Sequence, residues 1–373
     1  MLKGIHLTLM IGPAVPVPVP QLVLDALTSV EVTIRDSGPS GFQLSFTLNN
    51  RSPLHTMFLL AGSSPIPVMR VIIIVTMNGQ PNVIMDGVIT HQNTSPGKEA
   101  GQSTLSMTGE DLSAVMKLND SSGRQYPAMP AEARVALILA QYAGLGIIPK
   151  IIPSVLIDVP IPTHEIPSHE GSDLAYINSL AERVGYVFYI DPGPVVGSST
   201  AYWGPQVKVG APQPALNVNM DAYTNVESLN FNFDGQSRVQ PLLRVQEEDQ
   251  NILIPVPDIT PLNPPLGLIE PLPNRVKRLT ETAGLSTTQA AVIAMTTAAK
   301  SAEAVTGDGS LDVLRYGRLL QSRQLVGVRG AGPAFDGLHY VSSVTHRIQR
   351  GEYKQSFNLS RNGLISTVQN VPV

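Results

Sequence analysis

Residues 325–363 read LVGVRGAGPAFDGLHYVSSVTHRIQRGEYKQSFNLSRNG, and they carry the strongest indication of the fold. Apolar and polar residues alternate over stretches of strand length, which is typical of strands with one buried face. Asp336-Gly337 and Gly351 lie where the chain must turn between these stretches. The segment therefore predicts consecutive strands of a β-sheet near the end of the sequence.

The same order of signals occurs nearer the N-terminus. RVIIIVTMNG, which starts at Arg70, corresponds to RQLVGVRGAG, which starts at Arg323. Asp86-Gly87 then precedes a strand pattern, and the two patterns contain Thr90-His91 and Thr345-His346. This order indicates an internal duplication. Common turn residues can also produce it by chance, and the sequence leaves both explanations open.

The N-terminal region is rich in predicted strands. Alternating patterns begin at Val30 (VEVTIRD), Phe42 (FQLSFTLNN) and Gln102 (QSTLSMTG), which together with the strands after Arg70 suit a small closed or sandwiched β-domain. PVPVPQ, which ends at Gln21, predicts an extended arm before this domain.

The middle of the chain mixes helix and strand signals. PAEARVALILAQYAG predicts a helix that begins after Pro130. Residues 171–194 read GSDLAYINSLAERVGYVFYIDPGP, with Ser172 as N-cap, apolar residues at helical spacing and Gly185 at the C-terminal end. An aromatic and β-branched strand pattern follows from Tyr186.

A proline-rich excursion, ILIPVPDITPLNPPLGLIEPLP, occupies residues 252–273 and predicts an extended arm. Ser286 and Gln289 form a capping-box pattern ahead of a predicted helix. We therefore predict an α+β chain that is mainly β. Its expected domains are a first tube-like β-barrel with its arm (1–117), an inserted α/β domain (118–222) and a second tube-like β-barrel (223–373), interrupted at about 246–309.

The composition restricts the function. The 373 residues include 25 basic and 29 acidic ones, so nothing favours a nucleic-acid partner. Charged residues make up 14% of the chain, below the roughly 25% of soluble domains, which predicts that part of the surface lies against partner subunits. A surface of uncharged polar residues is the alternative. We expect neither a membrane span nor a secretion signal, and the absence of cysteine excludes disulfides.

The segment HEIPSHE, residues 164–170, resembles the zinc-binding pattern HExxH. That motif works because two histidines one helical turn apart face a single metal ion. Here His164 and His169 are five residues apart, with Pro167 between them, so they would not share a helix face. We interpret the segment as a polar loop ahead of the Ser172 cap.

Other candidates for chemistry are weaker still. GVRGAG, residues 327–332, precedes Pro333 and no helix signal, so the helix terminus that would bind phosphate is missing. His91 and His346 are interpreted as packed or surface residues, and Trp203 as an anchor of a core or an interface. We predict no catalytic, cofactor-binding or metal-binding residue, no cofactor, and a protein that is not an enzyme.

A family resemblance runs along nearly the whole chain. Residues 172–190 resemble the helix–strand pattern of baseplate hub proteins of contractile phage tails, a family that includes late control gene D proteins and the hub half of VgrG proteins. Residues 325–363 resemble the last barrel strands of that family, and FQLSFTLNN and DGVITHQ resemble its first barrel. The chain is most similar to hubs of phage-like extracellular contractile injection systems. No single motif is diagnostic of the family, because none carries catalytic or binding residues. The resemblance therefore rests on the order of the segments along the chain.

The resemblance implies a homotrimer in which each subunit gives two tube-like barrels, so that six barrels form a pseudo-sixfold ring. Duplication within a trimer would join a sixfold tube to a threefold spike. The implied partners are a separate spike protein, inner-tube or tube-initiator proteins and other baseplate components, without membrane insertion or specific nucleic-acid binding. The implied location is the bacterial cytoplasm during assembly and then a phage tail or tail-like particle.

Two other functions are kept as alternatives. A tube-initiator or other tail component with the same barrel would be sixfold by itself and would need no duplication. A metal-dependent hydrolase would use the segment of His164 and His169. VgrG proteins continue into an OB-fold and a β-helical needle, whereas this sequence stops at Val373, so we expect the spike to be a separate polypeptide.

Overall fold

A computed structural model provides the structure of the chain. It describes residues 4–13, 15–48, 69–97, 103–154, 160, 166–247, 250–255, 264–272, 275–278, 294–295, 297–298, 301–368 and 371.

Strands dominate the described residues, and they are mostly short. They are β1 (Ile5–Pro13), β2 (Val17–Pro18), β3 (Leu27–Arg35), β4 (Gly41–Leu48), β5 (Met69–Met77), β6 (Gln80–Ser95), β7 (Ser103–Asp111), β8 (Ile147–Ile151), β9 (Val187–Pro192), β10 (Ser199–Gly204), β11 (Gln213–Asn217), β12 (Ser228–Phe233), β13 (Val239–Glu247), β14 (Gln250–Pro255), β15 (Gly267–Ile269), β16 (Arg275–Arg278), β17 (Val305–Asp312), β18 (Leu325–Arg329), β19 (Gly337–Gln349), β20 (Glu352–Arg361) and β21 (Leu364–Ser366).

The helices are few and most lie between the strand-rich ends. They are α1 (Gln21–Ala26), α2 (Ser113–Leu118), α3 (Ala131–Ala140), α4 (Asp173–Arg183) and α5 (Val313–Tyr316), with 3₁₀ turns at Ala143–Leu145 and Asp221–Tyr223.

The two predicted helices of the middle region are confirmed. Helix α3 begins directly after Pro130, and α4 begins after Ser172, whose hydroxyl accepts a hydrogen bond from the Ala175 N–H at 3.3 Å. Gly185 has a φ of +70°, which a glycine adopts without steric cost, and it ends the helical segment before β9. The local sequence signals therefore determine this helix–strand unit.

One large sheet contains most of the strands. Its thirteen strands include a continuous path in the order β12-β17-β20-β19-β3-β4-β7-β6-β5-β1-β2, and β11 and β18 join it beside β19. Within this sheet the order β3-β4-β7-β6-β5 is repeated as β12-β17-β20-β19-β18, with every neighbouring pair antiparallel. We call β1 and β3–β7 the first half of the sheet, and β11, β12 and β17–β20 the second half.

The two halves meet at one antiparallel strand pair. Residues Ser343–Gln349 of β19 pair with Ser29–Arg35 of β3, opposite to the side on which β19 pairs with β20. We call this pair the internal junction. It joins segments that lie more than 300 residues apart in sequence, and it makes the halves parts of one hydrogen-bonded structure.

Two large apolar cores and a small cluster around Tyr340 lie among the described residues. The larger core combines both halves of the sheet, with residues such as Val32, Leu44 and Phe357. The second core is formed by residues 112–204, which we call the middle region, together with Val88 of β6, and it includes fully buried Trp203. The predicted α+β class with mainly β structure is confirmed.

A buried ion pair fixes the middle region to the first half. The Arg70 guanidinium donates to both carboxylate oxygens of Asp86 at 2.7 and 2.6 Å. Arg70 also donates to the Gly197 carbonyl at 3.0 Å, and the Ser199 hydroxyl donates to Asp86 at 2.9 Å. Because the charges satisfy one another and bond to the middle region, removal of either one would leave a buried charge unpaired.

Some predicted segments differ from the structure or lie outside it. The N-terminal arm is not simply extended, because Val17–Pro18 pair with β1 and α1 follows at once. Much of the proline-rich excursion and of the helix predicted after Ser286 lies outside the described residues, and residues 294–295, 297–298 and 301 of that helix are helical. Within the excursion, residues 252–255 belong to β14, which pairs with β13, and Gly267–Ile269 form β15, which pairs with β21. These parts of the excursion are paired strands and not an extended arm.

Candidate functional site

A broad polar face covers one side of the sheet and crosses from one half to the other. Side chains alternate along each strand, so every second residue points to this face while its neighbours enter the core. The residues that share it are Ser228, Asn230 and Asn232 of β12, Thr306, Asp308 and Ser310 of β17, Lys354, Ser356 and Asn358 of β20, Ser343, Thr345 and Arg347 of β19, Ser29, Glu31 and Thr33 of β3, Gln43, Ser45 and Thr47 of β4, and Thr104, Ser106 and Thr108 of β7.

Neighbouring side chains on the polar face bond to each other across the strands. The hydroxyl groups of Thr33 and Thr345 lie 3.0 Å apart at the internal junction, and those of Ser228 and Ser310 lie 2.9 Å apart in the second half. Cross-strand hydroxyl pairs of this kind stabilise a sheet modestly. The polar face is therefore continuous across the boundary between the two halves.

The few charges on the polar face are mostly compensated there. Arg347 donates to Glu31 at 3.1 Å across the internal junction. Lys354 lies between Glu227 and Glu352, at 3.1 and 3.0 Å, and hydrogen bonds to these carboxylates raise the pKa of its ammonium group. Such a face is hydrated but lacks the basic excess that attracts nucleic-acid phosphates.

A second polar arrangement lies where the middle region meets both halves. The Arg323 guanidinium lies 3.8 Å from the centre of the Tyr189 ring and donates to Asp191 at 2.7 Å. It also donates to the Arg35 carbonyl at 2.5 Å. A cavity of about 480 Å³ adjoins this contact, with Tyr189, Asp191, Asn82 and His346 among its lining residues. Arg323 thus holds three parts of the chain together.

The HEIPSHE segment contributes a packed histidine. His169 is 1% exposed, its Nδ1 lies 3.0 Å from the Tyr126 hydroxyl, and its Nε2 lies 3.3 Å from Asp173 Oδ1. The Tyr142 hydroxyl donates to the other Asp173 oxygen at 2.6 Å. Both ring nitrogens of His169 therefore face protein side chains, one ahead of α3 and one in the first turn of α4. His164 lies outside the described residues.

The other two candidate histidines are far apart in the sheet. His91 is exposed on β6, whereas His346 is buried on β19, and strands β3, β4 and β7 lie between them. His346 Nδ1 lies 2.7 Å from the Tyr353 hydroxyl, and burial lowers the pKa of His346 to about 4. The structure does not bring these two residues together.

The glycine-rich segment and the single tryptophan both have packing roles. A Cβ atom on Gly330, whose φ is +85°, would lie 2.0 Å from the Val218 carbonyl oxygen, and one on Gly327 would lie 1.8 Å from Val371. Close packing thus accounts for these glycines. Trp203 is fully buried, and Tyr186 meets its ring edge-on at 4.9 Å, so its role as a core anchor is confirmed.

In the described part of the chain, no three His, Asp or Glu side chains come together in a way that could hold a metal ion. None of the helices described above is both long enough and apolar enough to cross a membrane.

Sequence reasoning missed the residues that connect distant parts of the fold. Arg70, Asp86 and Arg323 were noted only as parts of strand and turn patterns, and the sequence did not indicate their bonds because the partners come from other elements. A weak signal was present for the polar face, since its Ser, Thr, Asn and Gln residues appear at every second position of the predicted strands.

No protein-family model and no curated protein sequence matches this chain. Solved structures do match its fold over nearly its whole length. A tail protein from Neisseria meningitidis MC58 is 14% identical, with a TM-score of 0.63, and the match covers 97% of this chain and 98% of that one. The 43 kDa tail protein of prophage MuSo2 from Shewanella oneidensis is 13% identical, with a TM-score of 0.60 and coverage of 95% and 98%.

A third similar structure comes from a protein described as part of a secretion system. An Escherichia coli protein, described as a component of the type VI secretion system that resembles bacteriophage T4 tail proteins, is 12% identical, with a TM-score of 0.54. The match covers 93% of this chain and 76% of that one. At these identities the likeness concerns the fold alone: the chain has the fold of phage tail proteins.

Proposed function

We propose that this chain is the baseplate hub of a contractile phage tail or a phage-like contractile injection system. In this role three copies join a sixfold inner tube to a threefold spike. The fold shared with tail proteins supports a structural component of such a particle, and the hub role is the more specific part of the proposal.

One observation carries the hub role: the repeated order of five strands within a single sheet. A chain with two similar halves presents two similar surfaces, so a ring of three copies presents six. A threefold spike can then contact three whole chains while a sixfold tube contacts six halves. The expected division into domains at 1–117, 118–222 and 223–373 belongs to this proposal.

The polar face suits the wall of a passage through the ring. Its hydroxyl and amide groups keep water bound, and its charges are largely paired within the face. A cargo that moves along such a wall meets neither a large apolar patch nor a strong field of one sign. We propose that this face borders the channel and that the middle region braces the ring from outside.

The proposal also includes binding partners and a role without catalysis. A separate spike protein, inner-tube or tube-initiator proteins and other baseplate components are the proposed partners, and the particle is the proposed final location. No catalytic, cofactor or metal role is assigned. The packed position of His169 supports a structural role for that residue.

A tube-initiator function is the competing candidate. It would use the same barrel surfaces, but such a protein builds its sixfold ring from six single copies. The repeated strand order favours the hub, because a chain with two halves would give twelve surfaces in a hexamer.

Mass measurement of the purified chain, alone and with its neighbouring spike protein, tests the proposal. We expect a trimer that gains the mass of the spike, and particles whose images show threefold density between tube and spike. A stable hexamer that does not bind the spike protein would favour the tube-initiator function. A monomer that does not respond to the spike would contradict both functions.

A further inference from the structure

Among the described residues, the second half of the sheet ends in a strand with one unpaired edge. Strand β12 pairs with β17 on one side, and no described backbone group pairs with its other side. Its sequence, SLNFNF, contains no charge and no proline, although Phe233 is 37% exposed. Natural edge strands are normally protected by charges, prolines or a covering element, so this edge favours pairing with another strand.

A second unpaired edge among the described residues lies in the first half. Strand β6 pairs with β5 up to Val88, while residues 90–95 pair only with β7 among the described residues. The sequence of this segment, THQNTS, is also free of Asp, Glu, Lys and Arg, and all six residues are exposed. Within the described part of the chain, the side of β6 that continues the β5 edge therefore has no strand partner over these six residues.

The internal junction shows what such edges bind. In the repeated strand order, β3 corresponds to β12 and β19 corresponds to β6. On one edge of β19, residues 337–340 pair with β18 and residues 343–349 pair with β3. The equivalent edge of β6 carries β5 along its first part and nothing described along residues 90–95. Each chain therefore makes the β3–β19 contact once. It also contains β12 and residues 90–95 of β6, the two strand segments that would form the equivalent contact, and among the described residues neither is paired in this way.

We infer that β12 of one copy pairs antiparallel with residues 90–95 of a second copy, as β3 pairs with β19 inside the chain. A chain cannot make this contact with itself, because β12 and β6 are separated in the same sheet by β17, β20, β19, β3, β4 and β7. The contact is head-to-tail, so it generates a ring when the rotation closes. The inference deepens the proposed function and rests on its assembly of several copies.

The chemistry of the two edges is compatible. Ser228, Asn230 and Asn232 lie on the polar face, and they would meet hydroxyl, amide and imidazole side chains without a clash of like charges. The far end of the sheet is different, because β2 lies among Pro16, Pro18 and Pro20, which cannot donate backbone hydrogen bonds. Pairing is therefore directed to one edge and discouraged at the other.

The absence of native cysteine allows a direct disulfide test in the full chain. Asn230→Cys is combined in turn with His91→Cys, Gln92→Cys, Asn93→Cys and Thr94→Cys, and each variant is oxidised mildly. Directly opposed residues on antiparallel strands lie about 4.5–5.5 Å apart at Cα, within the range of a disulfide. We expect one of the four cysteine pairs, or two pairs whose β6 residues lie on the same face of the sheet, to yield covalent multimers on a non-reducing gel.

Two further cysteine pairs serve as the positive and the negative control for this experiment. Thr33→Cys with Thr345→Cys spans the internal junction and should give a disulfide within one chain, without a change in mass. Asn230→Cys with Val17→Cys uses the exposed but proline-flanked β2 and should stay uncrosslinked. Crosslinking of all four β6 positions together with the β2 control would mean random collision and would overturn the inference.

The remaining outcomes separate the inference from the proposed function. A trimer that binds the spike but gives no β12–β6 disulfide in any register would refute this contact and leave the hub role intact. A chain that stays monomeric with the spike present, and forms no disulfide, would contradict both. Covalent multimers of the expected registers would support the contact whatever the identity of the particle.

Discussion

The two halves of the sheet share five strands in the same order but differ in the sixth. In the first half, β1 runs antiparallel to β5 over nine residue pairs. In the second half, the matching position is taken by β11, which runs parallel to β18. The repeated unit is therefore the five-strand sheet, and the strand that completes it can enter from either direction, according to the segment of chain that precedes it.

The Thr-His dipeptides give a finer comparison of the same halves. In β6 the extra residue of a bulge is Thr90, so His91 emerges on the polar face. In β19 the bulge falls at Ser342, before the dipeptide, so Thr345 takes the polar face and His346 enters the core. One extra residue moves every later side chain to the opposite face of the sheet. Measured from the bulge, Thr345-His346 lies three residues later than Thr90-His91, so the similar dipeptides occupy different structural positions.

The largest effect should come from breaking the shared core at the internal junction. Val32 is fully buried on β3, so Val32→Asp should lower the free energy of unfolding by about 4 kcal/mol, because an unpaired carboxylate would enter apolar surroundings. Soluble yield and thermal unfolding by circular dichroism measure this loss. Thr33→Asp, one residue along on the polar face, should cost less than about 1 kcal/mol. Equal losses would mean that the two faces are not distinct.

A glycine under an aromatic ring occurs in both halves, but with the strands exchanged: β7 supplies the glycine and β4 the ring in the first half, whereas β17 supplies the glycine and β20 the ring in the second. A Cβ on Gly109 would lie 2.3 Å from the Phe42 ring, and one on Gly309 would lie 2.6 Å from the Phe357 ring. Both Gly→Ala variants should lose about 2 to 3 kcal/mol of unfolding free energy, since carbonyl oxygens also block relaxation. Gly144→Ala, where no atom lies within 4 Å, is the matched control and should be near neutral. A tolerated change in one half only would limit the likeness of the halves.

The buried histidine of β19 predicts a pH response. Burial lowers the pKa of His346 from 6.5 to about 4, so between these values the unfolded chain binds a proton that the folded chain excludes. Stability should therefore fall with decreasing pH, by up to about 1.4 kcal/mol per pH unit for this residue. His346→Gln should reduce the slope of unfolding free energy between pH 6.5 and 4. Identical slopes in the parent chain and the variant would contradict the buried environment of His346.

The smallest effect is expected for the ion pair that crosses the internal junction. Arg347 and Glu31 have side chains 60% and 44% exposed, so solvent screens their attraction. Arg347→Ala should change the free energy of unfolding by about 0.5 kcal/mol or less, and added salt should remove the difference. Denaturant titration at low and high salt measures both values. A loss above about 2 kcal/mol would show that the charges, and not the core, hold the halves together.

The sequence was most informative where the physical cause is local. Ser172, Gly185 and the apolar spacing between them predicted α4 because capping and helical periodicity act within a few residues. The alternation in residues 325–363 predicted β18, β19 and β20 for the same reason. These signals were enough for the mainly β fold class.

Pairing between distant segments could not be predicted in the same way. The internal junction joins Thr33 to Thr345, and its register depends on how the two halves pack rather than on either strand alone. The three contacts of Arg323 likewise come from residues that gave no motif, and the bulges that set His91 and His346 on opposite faces leave no clear mark in the sequence. The polar face was visible only strand by strand, because its continuity depends on these pairings.

The internal junction also affects how assembly depends on protein concentration. Because β3 and β19 belong to one polypeptide, their encounter is intramolecular and does not depend on the protein concentration. This contact stays closed at any dilution, whereas every contact between separate copies weakens as the protein is diluted. In the proposed ring of three chains, half of the strand junctions would thus be complete before two molecules meet. Six separate sheet units would need five bimolecular steps to form such a ring, whereas three chains with two units each would need two.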